Sequence, residues 1–578
     1  PLSFAQERLW FLDRMEPGRG VYNVFLGRRL RGALDAAALE RALAAIVRRH
    51  DSLRTTFAEA DGVPVQVIAP FTGFTLPVED LSVPDPAERE AAVERRAAEE
   101  AGRPFDLAAG PLFRATLLRM ADDDHALLLC MHHVVTDGWS VGVLLREMAA
   151  GYAAGGAPPL PPLPVQYADY AVWQREQLAG EALDAQLAWW KERLAGAPAL
   201  LELPTDRPRP AVQGFDGATE PVELPAELLE KLRALGRAEG ATLFMVLLST
   251  FKLLLSLYTS SDDVVVGSPV AGRTRGEVEA LVGFFVNTLV LRTDLSGDPG
   301  FRETLRRVRK TTLGAYERQD VPFEKLVAEL QPGRSLSHSP VVQVIFTAQD
   351  GAASAPALPG LAAASLDPGV EPAKFDLSLG LAATPRGLRG AVTYRTDLFD
   401  AGTVRRLVQH LGRVLEQVAA DPALPLSCLE LLGPDERRVV LGAWGGSDAA
   451  YAAERRVHRR VAGHAACAPH APAVVDGART LTFGELDARA AALARRLRAR
   501  GVGPDVPVAV CLERGAALVV AMLGVMKAGG AYVALDPAYP ADRLGHMLAD
   551  SGVSVLLTHE SVRGRLPARA GVEALCVG

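Results

Sequence analysis

Two adjacent histidines, an aspartate and a glycine follow one apolar segment of the chain. Residues 126–131 are apolar and predict a buried strand, after which come His132, His133, Asp137 and Gly138. A neutral imidazole is the side chain best suited to move a proton near neutral pH. Polar groups at the tip of a buried strand are held rigidly, as a base facing a substrate must be. The spacing therefore indicates a candidate acid–base site.

The two histidines are expected to differ in role, because neighbouring residues of an extended chain point to opposite faces. One of His132 and His133 should face the site and the other should pack. Asp137 could orient an imidazole or belong to a structural ion pair, and Gly138 lets the backbone turn or approach a ligand closely. From these residues alone, a pair of satisfied core histidines is an equally good interpretation.

Metal and serine-hydrolase chemistry are poorly supported. A zinc site needs roughly three or four converging ligands, and no such cluster accompanies the histidines. The 5 cysteines lie far apart and form no CxxC pair, so neither a zinc site nor a disulfide framework is predicted. The sequence also lacks a G-x-S-x-G nucleophile elbow. Unpaired cysteines favour a reducing cytoplasmic location.

The composition is that of an ordinary globular protein with several domains. The chain has 578 residues, 49% of them hydrophobic and 23% charged, and a net charge of −7. A negative net charge argues against nucleic acid as a partner. The apolar run 516–526 is too short to span a bilayer, so no membrane partner is predicted. The first residue is Pro1, which favours a piece of a longer protein.

Helical and strand patterns alternate along the chain and predict an α/β fold. The clearest helices are predicted over 35–50, 86–103, 401–420 and 483–499. The clearest strands are predicted at 263–266, 287–292, 473–475 and 507–511. The proline-rich stretch 157–164 predicts a stiff connector, and residues 351–369 predict a loop or crossover.

The histidine segment resembles a motif of a known family. Residues 131–140 resemble the HHxxxDG signature of condensation domains of nonribosomal peptide synthetases, which belong to the chloramphenicol-acetyltransferase-like superfamily. Further segments resemble other motifs of these domains in the same order, at 3–12, 49–57, 167–173, 282–288 and 318–324. At a last motif Arg334 fits, whereas Ser335 and His338 replace the usual Asp and Arg, which bears on local loop geometry.

The resemblance implies a two-lobed fold. The chloramphenicol-acetyltransferase-like lobes are expected at 1–175 and 176–430, arranged as a V around a central tunnel, with a linker at 431–455. Residues 456–578 resemble the N-terminal part of an α/β adenylation domain, whose first two motifs match 481–486 and 526–537. The phosphate loop and the catalytic lysine of that family would lie beyond Gly578, so no adenylation activity is expected.

The resemblance also implies a reaction and its partners. Condensation domains form a peptide bond between a donor thioester and the amine of an acceptor aminoacyl thioester. Upstream donor and downstream acceptor peptidyl carrier proteins present both on phosphopantetheine arms, so no tightly bound cofactor is expected. Condensation followed by adenylation implies an elongation module, with the chain's own adenylation domain as a neighbour. The opening motif resembles the type that joins an L-donor to an L-acceptor, and a monomer is expected.

The family's functional histidine corresponds to His133, which would act as a general base or position the amine. His132 would pack. Asp137 would pair with an arginine, for which Arg273 is the first candidate, and Gly138 could offer its N–H to the oxyanion. The remaining tunnel residues predicted are Arg54, Trp139, Ser140 and Asn287. For Arg54 and Asn287, hydrogen bonding at the lobe interface is an equally good interpretation.

Two other functions remain open. One is a stand-alone acyltransferase of the same superfamily that uses an acyl-coenzyme A, against which the adenylation-like segment argues. The other is a non-catalytic recruitment platform of the same fold, against which the intact set of His132, His133, Asp137 and Gly138 argues.

Overall fold

A computed structural model describes residues 1–15, 18–83, 85–156, 160–330, 335–351, 358–369, 372–445, 456–568 and 570–577. Part of the predicted connector at 157–164, the motif residue Arg334 and positions 446–455 of the predicted linker lie outside the described residues. The chain divides into two compact units, Pro1–Val439 and Val440–Gly578. The mixed α/β class predicted from the sequence is confirmed.

The first unit contains helices α1–α12 and strands β1–β13. The helices are Phe4–Met15, Ala36–Arg49, Pro86–Gly102, Gly138–Ala153, Tyr167–Gln177, Glu181–Leu194, Ala226–Ala238, Leu243–Thr259, Phe301–Tyr316, Phe323–Leu330, Ala401–Ala420 and Pro434–Arg438. The strands are Asn23–Arg31, Thr55–Ala60, Val63–Ile68, Val78–Asp80, Phe113–Ala121, Asp124–His132, Gly217–Leu224, Asp263–Val270, Asn287–Asp294, Val344–Gln349, Ala362–Leu366, Leu377–Thr384 and Gly387–Arg395. Short 3₁₀ turns lie at Asp51–Arg54, His133–Val135, Gly276–Val278 and Leu426–Cys428. A π-helix, Val439–Trp444, begins at the last residue of the first unit and continues into the second.

Strand β6 lies in the middle of a five-stranded sheet with the order β11-β1-β6-β5-β4. Its alternate side chains Leu127 and Leu129 join the core cluster of α2 and α4, whereas Ala126 and Leu128 pack with residues of α3. Both faces are therefore covered, which explains the unbroken apolar run in the sequence. Each fully buried leucine contributes about 1.5–3 kcal/mol, so the strand that carries the histidines at its end is firmly held.

Over Ala362–Leu366, strand β11 corrects the prediction of a loop or crossover at 351–369. Ala362–Leu366 pairs antiparallel with β1, for example Ala363 with Leu30. Its side chains are mostly exposed and small, so the sequence carries no alternating apolar signal. Backbone pairing at the edge of an existing sheet forms this strand, rather than burial of its side chains.

The second sheet of this unit has the order β7-β13-β12-β10-β8-β9. Helix α8 packs in its core cluster and carries a fully buried lysine, Lys252. The ammonium donates hydrogen bonds to the carbonyl of Leu291 at 2.5 Å and to Thr293 Oγ1 at 2.7 Å. Burial lowers the pKa of Lys252 to about 7, because the charged form loses its hydration.

The second unit contains helices α13–α17 and strands β14–β19. The helices are Val457–Cys467, Phe483–Arg498, Ala516–Ala528, Ala541–Asp550 and Glu560–Arg563, and the strands are Pro472–Asp476, Arg479–Thr482, Pro507–Cys511, Ala531–Ala534, Val555–Thr558 and Glu573–Cys576. A parallel sheet has the order β17-β16-β18-β19. Thr482 and Glu485 form a capping box that starts α14, as a Thr-x-x-Glu pattern predicts.

Among the described residues, no helix taken singly has the length and apolar composition to cross a membrane. Ala226–Ala238 and Leu243–Thr259 reach that threshold only together, and they meet at an angle of 104°. Within the same described ranges, no group of three or more His, Cys, Asp and Glu side chains is placed to hold a metal ion.

Candidate active site

The strand β6 ends at His132, whose side chain is buried among aromatic rings. Its ring centroid lies 6.3 Å from that of Tyr22 and 6.2 Å from that of Phe105. Nδ1 accepts a hydrogen bond from the backbone N–H of Val134 at 3.1 Å, so it carries no proton. The pKa of His132 is lowered to about 3, mainly by burial and to a smaller extent by His133 and by the ammonium of Lys374. His132 is therefore a neutral packing residue at neutral pH.

His133 begins the 3₁₀ turn and lies in different surroundings. Its backbone N–H donates to the carbonyl of Tyr22 at 2.8 Å, and its ring packs against Phe284 with centroids 4.8 Å apart. Nδ1 lies 2.7 Å from the carbonyl oxygen of Thr136. Because a carbonyl oxygen only accepts, the proton of the neutral ring is on Nδ1 and Nε2 keeps its lone pair.

The half-buried His133 ring favours its neutral form. The pKa of His133 is lowered to about 4, first by burial and then by the ammonium of Lys374, while the bond to Thr136 and the charge of Asp137 oppose the shift. The desolvation of the imidazolium is the largest of these effects. At neutral pH the ring therefore presents an unprotonated nitrogen.

Asp137 is the N-cap of α4, and both of its carboxylate oxygens are in use. Oδ1 accepts from the backbone N–H of Ser140 at 2.8 Å and lies 3.3 Å from Nη2 of Arg273. Oδ2 accepts from the backbone N–H of Phe285 at 2.9 Å. The side chains of Asp137 and Arg273 are only 2% and 1% exposed, so the pair is a buried one. Asp137 thus fixes the start of α4 against the loop at 281–285.

Ser140 and Arg273 complete this buried network. Nη2 of Arg273 donates to Ser140 Oγ at 2.7 Å, and Ser140 Oγ donates to the carbonyl of Gly283 at 2.8 Å. Burial lowers the pKa of Arg273, while Asp137 opposes that shift, and the guanidinium lies 3.9 Å from the ring centroid of Phe285. Ser140, which the sequence places in the tunnel, is fully buried in this network.

Two glycines let the backbone approach closely here. A Cβ on Gly283 would lie 2.1 Å from Cδ2 of Tyr167, so no larger residue fits. Gly272 has a φ of +65°, which favours glycine, and a Cβ there would lie 2.1 Å from the carbonyl oxygen of Phe285. The hydroxyl of Tyr167 donates to the carbonyl of Phe284 at 2.5 Å. These contacts set the path of the loop that carries Phe284 to His133.

Gly138 and Trp139 lie at the exposed N-terminal end of α4. A Cβ on Gly138 would find no atom within 4 Å, so open space adjoins its backbone. The indole N–H of Trp139 donates to the carbonyl of Glu279 at 2.9 Å, and 45% of this residue remains exposed. The N–H groups at the start of a helix favour negative charge, so an oxyanion beside Gly138 would be stabilised there.

Arg54 and Asn287 are engaged elsewhere. The Arg54 guanidinium donates to the carbonyls of Val47, Arg48 and Ala69 and pairs with Asp51. It thereby closes the C-terminal end of α2. The amide of Asn287 donates to the carbonyls of Gln319 and Val321 and accepts from the N–H groups of Thr288 and Phe323. The structure therefore does not connect either side chain to His133.

Two residues at the site were missed in the sequence. Phe284 packs on the His133 ring, and its signal was its place between Val282 and Thr288 in a segment already singled out. Lys374 acts electrostatically on both histidines. It lies far from them in the chain, and nothing in its local sequence indicates a site.

The comparisons with known proteins follow the same division of the chain. Residues 1–441 match the family described as Condensation domain, and residues 461–576 match the family described as AMP-binding enzyme. The first match covers most of the chain. The protein therefore belongs to the condensation-domain family of nonribosomal peptide synthetases, and part of an AMP-binding domain follows.

Individual relatives and solved structures support the same family assignment. A linear gramicidin synthase of Brevibacillus parabrevis is 48% identical over 574 residues, which are 98% of this chain and 7% of that protein. The X-domain from teicoplanin biosynthesis is 34% identical with a TM-score of 0.69, covering 75% of this chain and 97% of that one. The four-domain synthetase holo-AB3403, bound to AMP and glycine, is 25% identical with a TM-score of 0.77, covering 100% of this chain and 44% of that one. The chain spans only 7–11% of the curated relatives it matches first.

Proposed function

We propose that this protein forms an amide bond between a donor acyl thioester and the amine of an acceptor aminoacyl thioester. The observation that carries the proposal is the fixed tautomer of His133. Its Nδ1–H is held by the carbonyl of Thr136 at 2.7 Å, so the lone pair of Nε2 is available to an amine N–H. Membership of the condensation-domain family supports the same reaction.

In this reaction the amine nitrogen attacks the thioester carbonyl carbon, the C–N bond forms and the C–S bond breaks. The leaving thiolate takes up the proton that the amine loses. The tetrahedral intermediate carries an oxyanion, which would accept a hydrogen bond from the backbone N–H of Gly138 beside its open space. Trp139 would line the same space.

His133 would position the amine rather than act as a general base that accepts its proton. An α-amino group has an ordinary pKa of about 7.7–8.0. The pKa of His133 is lowered to about 4, well below that of the amine. Transfer of a proton from the ammonium group to this ring is therefore unfavourable by several pKa units. An imidazole that stays neutral can instead accept a hydrogen bond from the neutral amine and orient it toward the carbonyl.

Both thioesters would be carried on phosphopantetheine arms of an upstream donor and a downstream acceptor carrier protein. They would meet at His133 in a tunnel between two lobes, 1–175 and 176–430. The protein would then act as part of an elongation module, with an L-donor and an L-acceptor. The likeness to nonribosomal peptide synthetases such as linear gramicidin synthase supports the assignment to a synthetase module.

The test is a condensation assay with the full chain and two carrier proteins loaded with defined aminoacyl groups. Intact mass spectrometry should detect a dipeptidyl thioester on the acceptor carrier. His133→Ala should lower the rate about 10²-fold or more, because the amine loses its partner. His546→Ala is the matched control, since that histidine is exposed on α16 of the second unit. Unchanged turnover by His133→Ala would remove His133 from the reaction.

A second function is favoured by one comparison. The X-domain from teicoplanin biosynthesis was solved in a complex with OxyB, and it is 33% identical to this chain in that structure. A recruitment domain of this kind would bind a partner protein and give no dipeptidyl thioester with any loaded carrier pair. The same assay therefore separates the two functions.

A further inference from the structure

A buried histidine outside the segment 132–138 binds the backbone of the loop at 281–285. His50 directly follows α2, and its side chain is only 1% exposed. Its Nδ1 accepts a hydrogen bond from the backbone N–H of Val282 at 3.3 Å, so this nitrogen carries no proton. Nε2 then carries the proton and donates to Glu147 Oε2 at 2.9 Å. The ring of His50 thus connects a carboxylate on α4 to the loop.

Glu147 is held at its other carboxylate oxygen as well. Oε1 accepts from Nε of Arg49 at 3.0 Å, and the Glu147 side chain is buried. Glu147 follows Ser140 on α4 by about two helical turns, so the two side chains are on the same face of the helix. Ser140 Oγ binds both the N–H and the carbonyl of Gly283 in the loop. One face of α4 therefore holds the loop at two places, directly through Ser140 and indirectly through Glu147.

Side chains supply the hydrogen-bond partners that a helix or strand would give the backbone of this loop. Three N–H groups of the loop donate to side chains, and the acceptors are His50 for Val282, Ser140 for Gly283 and Asp137 for Phe285. Phe284, whose ring packs on that of His133, lies between two of these bonded residues. The position of the Phe284 ring therefore depends on the bonds that hold the loop.

We propose that His50 is a positioning residue of the active site, which fixes the loop at 281–285 through the N–H of Val282. It acts on His133 through Phe284, because a loop released at Val282 can shift two residues later, where the Phe284 ring packs on the imidazole. The proposal rests on the proposed function and deepens it, since an imidazole that orients an amine must itself be held in place.

Two amide replacements of His50 separate its two bonds. The side-chain amide of a glutamine extends about as far as Nε2, so His50→Gln keeps a donor for Glu147 and leaves the N–H of Val282 without an acceptor. An asparagine carries its carbonyl oxygen near the place of Nδ1, so His50→Asn keeps the acceptor for Val282 and loses the bond to Glu147. His50→Gln should lower the condensation rate about 10-fold or more, since a misplacement of roughly 1 Å can cost about 10²-fold. His50→Asn should keep most of the rate.

Stability is measured beside the rate, by urea unfolding. Each replacement removes one buried hydrogen bond, so both variants should be less stable than the parent. A histidine that serves stability alone would change the rates of the two folded variants equally or not at all. Equal rates in folded His50→Gln and His50→Asn therefore overturn the proposal, and so does a lower rate in His50→Asn.

The second measurement is the NMR resonance of His133 in the full chain, which needs no reaction. With ¹³Cε1-labelled histidine, this resonance is identified by its loss in His133→Ala. The Phe284 ring lies 4.8 Å from the imidazole and its ring current shifts the resonance, so a displaced loop should move it in His50→Gln. An unmoved resonance overturns the proposal. If the parent forms no dipeptidyl thioester, the proposed function fails, whereas the NMR comparison still tests the role of His50.

Ser52→Ala provides a second variant if His50→Gln does not fold. Ser52 Oγ donates to the carbonyl of Val282 at 2.7 Å, so its removal releases the same loop residue from the other side. The rate should fall and the His133 resonance should move, whereas both should stay near the parent's in His50→Asn. A parent-like rate and resonance in Ser52→Ala would show that the position of Val282 does not matter, and would overturn the proposal.

The matched control is His410→Gln. His410 is a second buried histidine, on α11, with Nε2 2.8 Å from the carboxylate of Glu436 and Nδ1 2.7 Å from the hydroxyl of Tyr258. The replacement again keeps the bond to a carboxylate and removes the bond made by Nδ1, but these partners lie on α12 and α8. The rate and the His133 resonance should stay unchanged. An equal loss of rate in His410→Gln and His50→Gln overturns the proposal.

Discussion

At the scale of single residues, Asp137 and His133 are used in different ways. Both carboxylate oxygens of Asp137 bind groups of the protein, namely the N–H groups of Ser140 and Phe285 and the guanidinium of Arg273. His133 binds the protein through Nδ1, and its Nε2 is available to a ligand. Asp137 therefore holds the active-site backbone in place, whereas His133 is the residue that can contact a substrate.

Asp137→Asn should destabilise the first unit by about 3–5 kcal/mol, because the amide still caps α4 but leaves the Arg273 charge buried and uncompensated. Urea unfolding followed by tryptophan fluorescence measures this, since all tryptophans except Trp444 lie in Pro1–Val439. Asp400→Asn is the control, because its ion pair with Arg207 is about half exposed and should be worth about 1 kcal/mol or less. Equal stability of Asp137→Asn and the parent would show that the buried pair contributes nothing.

Spacing alone predicts the site residues that are close together in the chain, whereas the distant partner of Asp137, Arg273, was predicted from the family resemblance and is found there. His132, His133, Asp137 and Gly138 share one short segment, so their spacing could be interpreted directly. Lys374 reaches the site because the fold brings a distant segment to Tyr22. Electrostatic contacts of this kind leave no local pattern of residue types, and only the structure identifies them.

At the scale of elements, the loop at 281–285 organises the site. Its backbone binds Asp137 through Phe285 and Ser140 through Gly283, and its Phe284 side chain packs on the His133 ring. A second set of bonds anchors the loop, because the carbonyl of Val282 accepts from Ser52 Oγ at 2.7 Å. A shift of this loop would therefore move the whole set of active-site groups together.

Gly283→Ala tests the loop. The new methyl group would overlap the Tyr167 ring at 2.1 Å, so the loop must move, and the condensation rate should fall about 10²-fold, the cost of a misplacement of roughly 1 Å. Gly276→Ala is the control, because a Cβ there meets no atom within 4 Å. Rates should be compared after circular dichroism has shown that both variants are folded. A normal rate in folded Gly283→Ala would mean that the loop does not position the site.

Long elements with a clear apolar period were predicted well. The helix expected at 401–420 is confirmed as Ala401–Ala420, and the strand expected at 507–511 is confirmed as Pro507–Cys511. Strand Ala362–Leu366 was missed, because its small exposed residues carry no such period. Backbone hydrogen bonding to the distant strand β1 forms Ala362–Leu366 instead.

At the scale of the whole molecule, the second sheet of the first unit encloses one ionisable group that costs stability. Lys252 is fully buried on α8, and its pKa is lowered to about 7 in the folded state from the ordinary value of 10.5. Between these pH values the unfolded chain holds a proton that the folded chain has released. Stability therefore rises with pH across this window, and it is lost as the pH falls toward 7.

Lys252→Met should remove this dependence. The free energy of unfolding of the parent, relative to the variant, should increase from pH 7 to pH 9 by up to about 1.4 kcal/mol per pH unit. Urea titrations at three pH values measure it. Lys231→Met is the control, because that side chain on α7 is exposed and meets water in both states. A parallel pH dependence of parent and Lys252→Met would show that the lysine stays charged when buried.

The edge strand Ala362–Leu366 also limits the order in which the first unit can fold during synthesis. It completes a sheet whose other strands end at His132, and Arg28 bonds to Ser365 across 337 positions of the chain. While the ribosome makes the intervening residues, β1 is an edge with unpaired backbone groups, and such edges promote association between chains. The five-stranded sheet that carries His133 at the end of β6 is therefore completed only after the chain up to Leu366 has emerged.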